Sequence, residues 1–165
     1  MLFRSVAVSG SPVCQVSPFV KVQSFSSAPL HPFKSVPPAF PCPELYCQFP
    51  LNCAFGTNGE VAETSSANLF WIYRDTVYTT PTGRGALPGI TRAVVLELCQ
   101  ALNLPTNKRV IKPESLRKSE GIFLSLSSLG IVPVSAIDGD PVPTSPIAEK
   151  ILSAYYAVVQ RETGS

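Results

Sequence analysis

Glu63-Thr64-Ser65-Ser66-Ala67-Asn68-Leu69-Phe70 and Leu87-Pro88-Gly89-Ile90-Thr91-Arg92 are the two stretches that decide how this chain folds. Each puts polar groups where a turn meets an apolar segment. Val61 to Tyr73 alternates between apolar and small polar residues. Trp71-Ile72-Tyr73, Arg74-Asp75 and Thr76-Val77-Tyr78-Thr79-Thr80 then read as strand, turn, strand. Glu63 falls where the first of these strands ends. A carboxylate there, beside small hydroxyl residues, can accept hydrogen bonds and face a cationic partner.

The second stretch marks a helix start. Pro88-Gly89 breaks the chain, and Ile90, Val94, Val95, Leu98 and Leu102 recur at helical spacing. Gly89 therefore precedes a helix N-terminus, where unpaired backbone N–H groups, the positive end of the helix dipole and the Thr91 hydroxyl converge. That is the composition of a phosphate cradle. Alone, such a start is most often a simple cap; paired with the Glu63 run it carries more.

Together the two stretches resemble motifs of the class IV aminotransferases, the pyridoxal-phosphate enzymes of the branched-chain aminotransferase type. The group also holds D-amino-acid aminotransferases and aminodeoxychorismate lyases. The resemblance runs from about Ala54 to the C-terminus. It implies an α+β fold, the large cofactor-binding domain of the D-amino-acid-aminotransferase type, without the smaller N-terminal domain of relatives. It also implies the cofactor, pyridoxal 5'-phosphate. By position, Glu63 takes the role of the acceptor for the protonated ring nitrogen. Gly89, Ile90 and Thr91 fall at the cofactor phosphate. Ile122-Phe123-Leu124-Ser125-Leu126-Ser127-Ser128 resembles the strand that completes the phosphate site, with Ser127 the best match and Ser128 second. Gly130 to Val134 and Ile137-Asp138-Gly139 resemble the next strand and its turn.

The catalytic lysine implied by the resemblance is Lys34, in Pro29-Leu30-His31-Pro32-Phe33-Lys34-Ser35. A lysine buried beside a cationic group loses its proton readily and adds to an aldehyde. Lys21 is a poor second because its spacing is too long, and the alternative for Lys34 is a solvated surface lysine. Ala39 stands where relatives carry a tyrosine five positions after the lysine.

Residues 1–53 differ from the rest. They hold nine of the seventeen prolines and four of the five cysteines, and only Arg4, Lys21, Lys34 and Glu44 are charged. Pro37, Pro38, Pro41, Pro43 and Pro50 forbid a long helix there. The expected organisation is an atypical, mostly irregular segment over 1–53 and the cofactor-binding domain over 54–165.

Other function classes are disfavoured. A net charge of +2 is too small to indicate nucleic acid as partner. No eighteen-residue apolar run is present for a membrane span. His31 is the sole histidine, so neither a Ser/His triad nor a histidine-based metal site is expected. An odd number of cysteines without Cys-x-x-Cys spacing points to free thiols in the cytoplasm. Ser145 and Pro146 open a last helix with an apolar stripe of Ile147, Ile151, Ala154, Tyr155 and Val158, a packing face or, alternatively, a homodimer seam. Three functions stay open: a branched-chain-type aminotransferase acting on an amino acid and a 2-oxo acid, an aminodeoxychorismate lyase, and a non-catalytic remnant of the large domain.

Overall fold

A computed structural model describes residues 15–24, 51–56 and 58–164; Lys34 and His31 lie outside the described residues. Among the described residues, the strands are β1 (Gln15–Ser24), β2 (Leu51–Phe55), β3 (Val61–Thr64), β4 (Asn68–Tyr73), β5 (Thr76–Thr79), β6 (Thr106–Lys108), β7 (Gly121–Leu126), β8 (Gly130–Ile137) and β9 (Asp140–Pro141). The helices are α1 (Ile90–Ala101), the one-turn α2 (Pro113–Leu116) and α3 (Pro146–Thr163). The strands join in the order β3-β2-β1-β8-β7-β4-β5-β6, with β9 on β8. Every pairing is antiparallel except β5 with β6. This is the mixed, hairpin-centred α+β arrangement expected, with helices at both expected positions.

The expected hairpin forms with Tyr73 opposite Thr76 and Trp71 opposite Tyr78. Arg74 (φ 48°) and Asp75 (φ 59°) occupy its two-residue turn. Positive φ at both central positions matches the right-handed twist of the flanking strands. Asp138 (φ 52°) and Gly139 (φ 92°) repeat the device between β8 and β9.

β4 is buried on both faces, which explains its nearly unbroken apolar run. Leu69 and Trp71 face a cluster with Val61, Leu116, Ile122, Leu124 and Val134. Phe70 and Ile72 face the opposite cluster with Phe123, Val95, Cys99 and Ile151, where α1 and α3 pack. The Phe70 and Phe123 rings stack at 4.9 Å in this second layer, and Trp71 stacks on Tyr78 at 5.8 Å in the first. The first layer is enclosed because the sheet curls back on itself. The amide of Val61 in β3 donates to the carbonyl of Ile111, beyond β6, at 2.8 Å, and Thr80 Oγ1 donates to the Val61 carbonyl at 3.1 Å.

Two expectations change. Gln15–Ser24, placed in the irregular segment, form a strand between β2 and β8, and β2 crosses the expected boundary at Ala54. Strand pairing needs only backbone N–H and C=O groups in register, so an atypical side-chain pattern does not prevent a segment from joining a sheet. Pro18, which lacks an N–H, falls within the register shift between Val16 and Lys21. The buried face of α1 is also rotated from the Ile90–Val94–Leu98 line: Thr91, Arg92, Val95 and Cys99 are buried, and Ile90 is exposed. Helix α3 begins at Pro146 after Ser145, as expected, but the Ser145 side chain makes no cap hydrogen bond. Its burial concentrates on Ala148 and Ile151, with Ile147, Leu152 and Tyr155 packed at the edge.

Candidate active site

The turn after β3 builds the first wall of a cleft. The Thr64 amide donates to the Ala67 carbonyl at 2.9 Å. Thr64 Oγ1 donates to the same carbonyl and accepts from the Ala67 amide, both at 3.0 Å. This clasp reverses the chain over Ser65 and Ser66, so that Asn68 at the start of β4 returns beside Glu63 at the end of β3.

Asn68 then ties three segments together. Its Nδ2 donates to Glu63 Oε2 at 3.0 Å and to the Leu87 carbonyl at 2.9 Å, while the Leu87 amide donates to Glu63 Oε2 at 2.9 Å. Both donors use Oε2. Oε1 is left as the oxygen available to a further donor, and the carboxylate is held in one orientation. The corner also accounts for Gly89. Its φ of −64° is open to any residue, but a Cβ there would collide with Asn68 Oδ1. Glycine is needed here for space, not for backbone freedom.

These segments enclose a cleft of about 170 Å³. Glu63 and Asn68 form one side, and Gly89 and Thr91 at the start of α1 form another. Ser125, in β7, and Ser127, in the exposed turn after it, complete the lining. Of the residues expected at the site, Glu63, Gly89, Thr91 and Ser127 are thus brought together. Ile90 and Ser128 do not line the cleft; Ile90 is 78% exposed and Ser128 sits in the exposed turn after β7. Lys34 lies outside the described residues.

Of the further residues that line it, which sequence reasoning did not place in the site, three are polar and buried: Asn68, Arg92 and Ser125. Each carried a signal. Asn68 opens an otherwise apolar strand, and a buried amide requires partners. Ser125 interrupts Leu124 and Leu126 in the same way. Arg92 puts a cation in the first turn of a helix, against the dipole. Arg92 is buried, donates from Nη2 to the Thr80 carbonyl at 3.1 Å, and leaves Nε without a partner. Burial lowers its pKa, and the nearby Glu63 carboxylate opposes that shift. Ser125 Oγ is buried and equally without a partner. Among the described residues no group of three or more His, Cys, Asp or Glu could hold a metal ion.

A carboxylate fixed at one side, helix-start amides and hydroxyls at another, and two buried polar atoms without partners define a cleft built for a polar, anionic group. The arrangement fits a phosphorylated cofactor that also carries a protonated ring nitrogen. The model of the amino-transferase class IV family matches residues 53–137, and the chain belongs to that family.

Similarity to individual proteins agrees. The chain is 31% identical over 113 residues to the branched-chain-amino-acid aminotransferase of Escherichia coli, covering 67% of this chain and 37% of that protein. The crystal structure of the E. coli enzyme superposes with a TM-score of 0.64 at 29% identity. A putative 4-amino-4-deoxychorismate lyase from Legionella pneumophila gives 0.63 at 29% identity, covering 66% of this chain and 41% of that one. A T.th. branched-chain amino acid aminotransferase, complexed with N-(5'-phosphopyridoxyl)-L-glutamate, gives 0.63 at 25% identity, covering 67% and 38%. The chain therefore spans little more than a third of the length of the curated E. coli relative.

Proposed function

We propose that this chain is the cofactor-binding part of a pyridoxal-phosphate-dependent aminotransferase of the branched-chain type, acting on an amino acid and a 2-oxo acid. The observation that carries the reading is the Glu63–Asn68–Leu87 corner standing across one cleft from the first turn of α1. Glu63 Oε1 would accept from the protonated ring nitrogen, with Oε2 already held by Asn68 and Leu87. The backbone amides of Ile90 and Thr91, with the Thr91 hydroxyl, would hold the phosphate at the positive end of α1. Gly89 keeps that approach clear. Ser127 would complete the phosphate contacts, with Ser128 beside it. Bound there, the cofactor supplies an electron sink for the pair left when a proton departs the substrate Cα. Lys34 would carry the cofactor covalently and move that proton. A homodimer and a cytoplasmic location belong to the same proposal; the free thiols Cys53 and Cys99 fit a reducing compartment.

Absorbance titration with pyridoxal 5'-phosphate, then borohydride reduction and peptide mapping, tests the reading. The expected result is saturable binding with the label on Lys34. Glu63→Ala should weaken binding about 30-fold or more, equivalent to about 2 kcal/mol. Unchanged affinity in Glu63→Ala would remove that carboxylate from the site. Label on another lysine would remove Lys34.

A second reading, aminodeoxychorismate lyase, is favoured by the similarity to the L. pneumophila protein and by the Ser127-Ser128-Leu129-Gly130-Ile131 sequence, whose first residue lines the cleft. Parallel assays with leucine plus 2-oxoglutarate and with aminodeoxychorismate separate the two. Absence of saturable cofactor binding would favour the third reading, a large-domain remnant.

A further inference from the structure

Arg92 is 6% exposed and takes part in no ion pair among the described residues. Its one hydrogen bond goes to a neutral carbonyl, that of Thr80, and its Nε has no acceptor. A buried cation is costly unless an anion compensates it. The position adds to the cost. Arg92 is the third residue of α1, where the helix dipole is already positive.

Glu63 is the one other charged residue lining the cleft. It lies outside ion-pair distance, and its Oε2 is engaged by two neutral donors. Arg92 therefore has no committed anion among the described residues. Around it stand the first-turn amides of α1, the Thr91 hydroxyl, and Ser125 Oγ, 2% exposed and without a partner. Two buried side chains with unpaired donors, on different elements, border the same cleft as the positive end of the helix.

We infer that Arg92 is the buried counter-charge for a phosphate group held at the start of α1, and that Ser125 supports it there. This rests on the cofactor-site reading and adds to it a source of positive charge within this chain. Arg92 Nε is fully enclosed, so that nitrogen acts on the phosphate through space, while the residue itself borders the cleft. The ligand chemistry is a phosphate monoester, and the cofactor phosphate is the source that agrees with Glu63 lining the same cleft.

The test compares pyridoxal 5'-phosphate with pyridoxal, which lacks the phosphate, on the full chain and on Arg92→Met, Arg92→Lys and Ser125→Ala. Arg92→Met should weaken pyridoxal phosphate about tenfold or more and leave pyridoxal within about threefold, whereas Arg92→Lys, which keeps the charge, should lose much less. Ser125→Ala should shift the same ligand selectively and by less. Equal losses for both ligands would assign Arg92 to Glu63 or to the fold, and no loss for pyridoxal phosphate would leave it without a role in the cleft; either result overturns the inference. Should Arg92→Met fail to fold, the unaltered chain decides: its Arg92 Nε–H NMR signal should move saturably on adding inorganic phosphate, and a stationary signal overturns the inference. If the unaltered chain binds neither form of pyridoxal, the cofactor reading fails. The inorganic phosphate measurement then still reports on Arg92 separately.

Discussion

A single side-chain amide, that of Asn68, organises the site at the scale of residues. Its two N–H groups reach Glu63 and Leu87, and its oxygen packs against Gly89 where no Cβ fits. Gly89→Ala forces Asn68 to move, and both hydrogen bonds go with it. The expected cost is about 1–3 kcal/mol of stability, together with weaker pyridoxal phosphate binding. Urea denaturation and absorbance titration check the two parts, and an unchanged midpoint would show that the corner yields freely. Cys53 makes a different prediction. It is fully buried, and desolvation first, then the Asp138 charge, push its thiol from 9.0 to about 12. Between those two values the folded state keeps a proton that the unfolded chain releases, so stability falls as pH rises through that window and is complete below it. Cys53→Ala should flatten this decline in denaturation series run across the window, at the cost of a cavity. An equally steep decline in the variant would assign it to other groups.

At the scale of elements, the β4–β5 hairpin holds non-glycine residues at positive φ. Arg74 is assisted by stacking on Tyr73, with its guanidinium carbon 5.2 Å from the ring centroid, and by its amide donating to Glu120 Oε1 at 3.1 Å. Asp75 is exposed at φ 59°, outside both of those contacts. Asp75→Gly should raise stability by about 0.5–1 kcal/mol, and Asp75→Val should lower it by about 1–2 kcal/mol. Thermal melts of the two variants give the test. Equal melting points would mean the turn relaxes to negative φ. Helix α1 ends by a related device: Asn103 (φ 55°) sits past its C-terminus, its amide donating to the Gln100 carbonyl at 3.1 Å, while the Leu104 amide donates to the Cys99 carbonyl at 2.8 Å. This pairing closes the helix and leads the chain into β6.

At the scale of the whole molecule, the cleft is open. Leu87 is 66% exposed and Ile90 78%, both beside the start of α1. Transamination requires lysine, cofactor and substrate carboxylate to be held together, and a misplacement of about 1 Å costs on the order of a hundredfold in rate. The 165-residue chain on its own should therefore bind cofactor yet turn over leucine and 2-oxoglutarate well below about 1 per second. Ordinary turnover would show that the described walls suffice. Among the described residues no helix is long and apolar enough to cross a membrane.

Much of this arrangement was legible from local pattern. The Arg74-Asp75 turn, the starts of α1 and α3, and the places of Glu63 at the end of β3 and Gly89 before α1 follow from alternation, chain breakers and motif spacing, because these act over a few neighbouring residues. What needed tertiary structure was everything set by contacts distant in sequence. Ile90 reads as part of an apolar stripe, yet α1 turns the face of Val95 and Cys99 inward because that face meets Phe70, Phe123 and Ile151. Gln15–Ser24 carry an unpromising composition, yet they pair between β2 and β8 through backbone groups that composition does not report. Asn68, Arg92 and Ser125 each show a local oddity, but only the curl of the sheet against the start of α1 brings them to one cleft. Sequence alone determined the turns, the helix starts and the polar residues beside them, because these are local; long-range packing decided which of those residues meet.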